Sequence, residues 1–327
     1  MKTSIVYILI SDETDYYYEQ VLISVYSLRL YNPEAVVYII VDKETFKTLS
    51  GKRKEIYNYV SSIIPIDVPC DYNKTQRSRY LKTNLREFIK GNYLFIDCDT
   101  VICQSLEDVD TLDCELGLVA DLNGKLLLKD TNTIEKCRNA GFINCNNQPY
   151  YNSGVMYVKD TPLTRQFYYE WNKNWLISKQ NGVHFDQPAL CQTNIDLNHP
   201  IKEISGIWNC QFKFEGYHFL SDAKIMHYYF NGSEKYKLAQ HHIFNIVKEK
   251  GYIDTTTNKI IKHPQSILYT YLCINEEMLY KFTSSNLIHI YFNIPTLFRL
   301  IEKLSTIAIK PYLYFNRVKN LFLLHKQ

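Results

Sequence analysis

The sequence predicts an α/β protein whose first hundred residues form a mostly parallel, doubly wound sheet. Three observations carry this. Short apolar runs at 5–10, 36–41 and 93–96 alternate with amphipathic stretches of helical length. These runs are apolar on both faces, as strands covered by helices on each side are. The third, Asn92-Tyr-Leu-Phe-Ile-Asp97-Cys-Asp99, ends in two carboxylates, and open α/β sheets bind ligands at the carboxyl ends of their strands.

In order, residues 5–10 read as a first strand and 17–31 as a helix with Val21, Leu22, Val25 and Leu28 turned inward, closed by Asn32-Pro33. Val36–Val41 is a second strand, followed by a helical stretch over 44–59. Ser62–Asp67 is a third, pushed towards an edge by Pro65. A helix over 75–90 places Leu81, Leu85, Phe88 and Ile89 on one face and stops at Gly91. After strand 93–96 the rhythm changes. Residues 115–120 form a strand, 121–150 a long, partly helical loop over the site, and Tyr151–Val158 another strand. A helix follows over 162–178, with Pro162 behind Thr161. His184-Phe-Asp186-Gln187 opens a helix, and Ala223–Tyr228 is a late strand. The expected division is a catalytic domain over 1–250 and a helical C-terminal extension, basic and aromatic, over 251–327.

Composition bounds the function. A chain of 327 residues, 46% hydrophobic and 22% charged, is ordinary globular chemistry. Nine scattered cysteines without a C-x-x-C pair point to a reducing compartment rather than a disulfide framework or zinc site. The apolar run 5–10 is too short for a secretion signal and meets Asp12 and Glu13 at once. No run approaches the ~20 apolar residues of a membrane span. From Lys281 onward seven Lys or Arg face one acid, Glu302, so the tail is electrostatically distinct from the rest.

Asp97 and Asp99, one residue apart at a buried strand tip, suit a divalent cation bridging to a diphosphate, although Asp after a strand also marks plain turns. His227, inside an apolar strand, is either a satisfied core residue or a third ligand. Asp186-Gln187 is either a helix cap or a site pair. Arg79 and Lys82 are solvated charges or face the diphosphate.

Taken along the chain as Ile5–Asp12, Arg79/Lys82, Asp97-Cys-Asp99, Asn152-Ser-Gly-Val, Asp186-Gln187 and His227, the features resemble the retaining family 8 glycosyltransferases of the GT-A fold, a Rossmann-like sheet with flanking helices. The likeness spans about residues 3–240. It implies that Asp97, Asp99 and His227 hold Mn2+ (or Mg2+) on a nucleotide-diphosphate sugar, with UDP-glucose or UDP-galactose the expected donor. Ile10, Ser11 and Asp12 would meet the nucleotide, with Asp12 at the base. Arg79, Lys82, Asp97 and Cys98 would line the diphosphate. Asn152, Ser153 and Asp186 would meet the sugar, and Gln187 would lie beneath the anomeric carbon. Gly232 and Lys235 would contact phosphate, although His227-Tyr-Tyr-Phe-Asn-Gly232-Ser-Glu-Lys235 is two residues longer than the family's H-x-x-G-x-x-K and lacks the Pro-Trp that usually follows.

Two rival classes fit part of the pattern. Asp97-Cys-Asp99-Thr-Val101 also matches the nucleophile loop of haloacid-dehalogenase-type phosphotransferases, but that loop usually opens its domain. The aromatic and basic tail, as in Leu297-Phe-Arg-Leu-Ile301, would suit a non-enzymatic membrane-surface protein. Joined to a transferase, the tail predicts a cytoplasmic enzyme peripheral on the inner membrane face and serving a glycan or lipid-linked acceptor. Basic residues confined to an apolar tail argue against nucleic acid.

Overall fold

The structure, a computed structural model, describes residues 1–211, 215–228 and 240–262. Gly232, Lys235 and the tail from 281 lie outside the described residues. The elements are β1 (Ser4–Leu9), α1 (Tyr17–Tyr31), β2 (Val37–Asp42), α2 (Lys43–Thr48), β3 (Ser62–Ile66), α3 (Lys74–Thr83), α4 (Leu85–Phe88), β4 (Tyr93–Ile96) and β5 (Thr100–Ile102). They continue with β6 (Leu116–Ala120), α5 (Thr131–Asn139), β7 (Tyr151–Val158), α6 (Pro162–Gln180), α7 (Gln187–Asp196), β8 (Lys202–Glu203), β9 (Cys210–Gln211), β10 (Ile225–His227), α8 (Gln240–Lys250) and α9 (Thr255–Lys262).

The main sheet has seven strands in the order β3-β2-β1-β4-β7-β6-β8. All pairings are parallel except those of β7, which runs against β4 and β6. A second sheet, β5-β10-β9, adjoins it through the turn 97–99. β1, β4 and β7 are buried along their whole length, the fate of strands covered on both faces. The expected α/β fold, mostly parallel and flanked by helices, is what the chain forms. α8 and α9 lie against α1, with Ile260 and Ile261 buried. No helix among the described residues is long and apolar enough to cross a membrane, and the eight cysteines described are free.

Two expected helices are each shorter than the pattern suggests. In the stretch 44–59 the first helix ends at Thr48, and the chain resumes as a 3-10 helix over Gly51–Asn58, which opens on Gly51 with a left-handed φ of +54°. The stretch 75–90 breaks at Asn84, where the Asn84 amide donates to Tyr80 O at 2.8 Å and the Thr83 hydroxyl to Arg79 O at 2.9 Å. Such side chains satisfy the last carbonyls of a helix from outside its ladder and so end it.

Candidate active site

At Ile96 the chain leaves the main sheet and enters the second, and the turn between them is pinned on both sides. Asp97 N–H donates to Gly154 O of β7 at 2.7 Å, and Tyr228 N–H donates to Asp99 O at 3.1 Å. The Thr100 hydroxyl closes the turn onto Asp97 O at 2.9 Å. Antiparallel pairing of β10 with β5 sets His227 opposite Thr100, which brings its Nε2 to 3.2 Å from Asp99 Oδ1. One ligand atom from each of Asp97, Asp99 and His227 therefore lies within 4.8 Å of the others.

These donors fit a divalent cation. Two carboxylate oxygens and an imidazole nitrogen suit Mn2+, and Mg2+ to a lesser degree. Space is reserved as well: a Cβ on Gly154 would stand 2.5 Å from His227 Cε1 and 2.9 Å from Asp97 Oδ2. Burial, and then the Asp99 charge, push the Asp97 carboxyl above its ordinary pKa although Lys82 pulls the other way. A site that resists its own negative charge gains by accepting a cation.

Beside this cluster lies a buried group of opposite charges. Lys82 Nζ stands 3.3 Å from Asp97 Oδ1 and 3.6 Å from Asp186 Oδ2, and 4.7 Å above the Phe95 ring. Arg79 Nε pairs with Asp186 Oδ1 at 2.8 Å, and the Ser153 hydroxyl donates to Asp186 Oδ2 at 2.6 Å. Burial alone would raise the Asp186 carboxyl, but Lys82, then Arg79 and Ser153, outweigh it and hold it at about 2. The aromatic core of α6 sets the loop that carries it: Trp171 Nε1 donates to Asp186 O at 3.1 Å and Trp175 Nε1 to His184 O at 3.2 Å. A cavity of 620 Å³ adjoins this loop, lined by Lys74, Thr75, Lys136, Asn139 and Phe185 among others.

The remaining expected residues fall in three places. Ile10, Ser11 and Asp12 form the end of β1 and the loop to α1, with Ile10 buried. There Arg53 donates to Ser11 Oγ at 2.7 Å, and Asp12 pairs with Lys74 at 2.5 Å. Hydrogen bonds from Lys74 and Thr14 hold the Asp12 carboxyl below its usual range. The Cys98 thiol donates to Ile8 O at 3.1 Å, so this side chain faces the sheet. Asn152 and Gln187 meet at Asp121, whose Oδ1 accepts from Asn152 Nδ2 at 3.1 Å and from Gln187 Nε2 at 2.9 Å.

Three residues near the site escape the sequence pattern. Asp121 follows the apolar run of β6 as Asp97 follows β4, so the same signal could have found it. Tyr17 is 44% exposed at the start of α1, and its phenol is raised by burial and by the charges of Asp99 and Asp15. Asn209 accepts from His227 Nδ1 at 3.0 Å, and nothing in its neighbourhood of sequence marks it.

The family model described as "Glycosyl transferase family 8" matches residues 8–237. The chain belongs to this family. It is a glycosyltransferase, and the phosphotransferase and non-enzymatic alternatives receive no support. None of the curated proteins matches this family 8 chain. Among solved structures, the galactosyltransferase LgtC in complex with donor and acceptor sugar analogs shares 15% identity over 76% of this chain and 95% of its own, with a TM-score of 0.50. An active-site mutant of LgtC gives 14% identity, the same coverages and a TM-score of 0.52. The bifunctional glycosyltransferase WbbM in its apo form gives 14% identity over 80% of this chain and 51% of its own, at 0.51. At these identities the likeness is one of fold, and the fold of this family 8 glycosyltransferase is GT-A.

Proposed function

We propose that this family 8 enzyme transfers a hexose, glucose or galactose, from a UDP-sugar to a glycan or glycolipid acceptor, with Mn2+ (or Mg2+) on Asp97, Asp99 and His227, and with retention at the anomeric carbon. The observation that carries this is the placement of that acid–imidazole cluster against the buried Lys82–Asp186–Arg79 group. When bound, the cation supplies charge stabilisation to a departing diphosphate. Arg79 and Lys82 add fixed positive charge on the same side, without a proton transfer. Asp12 and the exposed ring of Tyr17 serve the base.

Asp186, held ionised, accepts from hydroxyls of the sugar and lends charge to an oxocarbenium-like state. It is a poor nucleophile, because Arg79, Lys82 and Ser153 stabilise its charge, while lone pairs remain to accept from hydroxyls. Gln187 commits its NH2 to Asp121 and to Tyr151 O, so the carbonyl end of its amide is the one offered to the anomeric carbon. With no nucleophile ready for a covalent intermediate among the described residues, retention proceeds at the front face.

A thermal-shift panel of UDP-, GDP- and CMP-sugars, with and without Mn2+, tests this. Only UDP-sugars are expected to stabilise, and only with the ion. At 100 times Kd the gain is about 2.7 kcal/mol, a rise of several degrees for a domain of this size. Stabilisation by another nucleotide class, or equal stabilisation without the ion, overturns the donor assignment.

The enzyme is cytoplasmic in this reading and docks on the inner membrane face through 281–327, where aromatic and basic residues combine. Deleting that segment is expected to abolish sedimentation with anionic liposomes while donor hydrolysis persists. Undiminished sedimentation removes the membrane contact.

A further inference from the structure

We infer that Asn209 is a positioning residue whose amide fixes the tautomer of His227 and, through Asn152, the orientation of Asp121 and Gln187, making the two ends of the site one hydrogen-bonded unit. This rests on the ion-and-donor reading above.

The order of atoms along the unit follows from one unambiguous donor. A backbone N–H can only donate, so the Asn152 atom 2.9 Å from Gly154 N is Oδ1. That oxygen also lies 2.8 Å from the Asn209 amide, which must therefore present Nδ2. Asn209 Oδ1 is then the atom 3.0 Å from His227 Nδ1, and Nδ1 is the protonated nitrogen. Nε2 is the ring nitrogen turned to Asp99 Oδ1, 3.2 Å away. An imidazole held through Nδ1 by a buried amide presents Nε2 in one fixed orientation, as a metal-ligating histidine requires.

In the other direction, Asn152 Nδ2 reaches Asp121 Oδ1 at 3.1 Å, and that oxygen receives Gln187 Nε2 at 2.9 Å. Asn209 is 0% exposed, His227 3% and Asn152 5%, so water does not compete for these bonds. Asn123 Nδ2 holds the Asn209 carbonyl at 3.1 Å, fixing the backbone from which the amide projects. The Asn152 amide is thus occupied by protein on both sides. It orders the residues that face the sugar.

Mn2+ affinity in the absence of donor, read from the free-ion signal in electron paramagnetic resonance, separates this role from a general loss of structure. The wild-type chain is compared with Asn209→Leu and Asn209→Asp, each with a single unfolding transition. Asn209→Leu removes both bonds and is expected to weaken Mn2+ binding about 10- to 100-fold, the usual effect of losing a partner of a metal-bound imidazole. Asn209→Asp still accepts from Nδ1–H but cannot donate to Asn152, so Mn2+ affinity persists while kcat for donor hydrolysis falls. It also keeps the experiment decisive if the leucine variant does not fold. Wild-type affinity in Asn209→Leu, or loss of Mn2+ affinity in Asn209→Asp, overturns the inference. Absence of Mn2+ binding in the wild type instead overturns the ion site itself.

Discussion

Asp97→Asn is expected to leave the ion-free protein at least as heat-stable as the parent while removing nearly all transfer. The sign follows from burial and from Asp99, which raise the folded-state pKa of Asp97. A carboxyl whose pKa is raised on folding destabilises the native state at any pH above its unfolded pKa, so a neutral amide relieves that cost. Lys82 keeps a partner in Asp186 at 3.6 Å and is not stranded. Turnover should fall on the order of 10²- to 10³-fold, the scale on which removing one preorganised charge-stabilising group acts. The Mn2+-dependent rise in Tm with UDP-sugar should vanish at the same time. A variant that melts several degrees lower without ion, or that retains Mn2+-dependent donor stabilisation, contradicts the role given to Asp97.

Gly154→Ala is the second substitution with a large expected effect, because it acts by volume alone. Its methyl would meet His227 Cε1 at 2.5 Å, Asn152 Oδ1 at 2.8 Å and Asp97 Oδ2 at 2.9 Å. These atoms belong to two ion ligands and to the amide that links them to Asp121, and each must yield. Overpacking of this kind costs about 1–3 kcal/mol, which calorimetry should show as a lower Tm in the ion-free protein. Mn2+ binding should weaken with it. Calorimetry and Mn2+ titration that match the parent within error would mean that the floor of the site is deeper than these distances allow.

Legibility in the sequence tracks how local each cause is. The run into Asp97 and Asp99 was plain because two acids directly after four buried apolar residues need a local explanation. Tyr151–Val158 as a strand and Pro162 behind Thr161 as a helix start were equally plain, the latter now seen as a capping box. Asn84 looked like any polar residue on a helix, and its effect comes from one hydrogen bond to Tyr80 O. Asn209 was invisible because its partners, Asn152 and His227, lie 57 and 18 residues away. Asp186 was seen as a polar residue at a helix mouth, but the anchoring of its loop by the Trp171 and Trp175 indoles had no sign in the sequence, because each bond runs from α6 to a backbone carbonyl outside it.

The residues proposed to hold the ion stand at the seam of two sheets, and the last of them arrives late. Asp97 and Asp99 leave the ribosome with the fourth and fifth strands, whereas His227, paired opposite Thr100, follows more than a hundred residues behind. Contacts so distant along the chain form only after the intervening segment has been made and collapsed. On the proposed ion site, the nascent polypeptide carries an acidic half-site until β10 is made and becomes competent in one late step, so a product truncated before β10 is expected to be inert however well its first nine strands have folded.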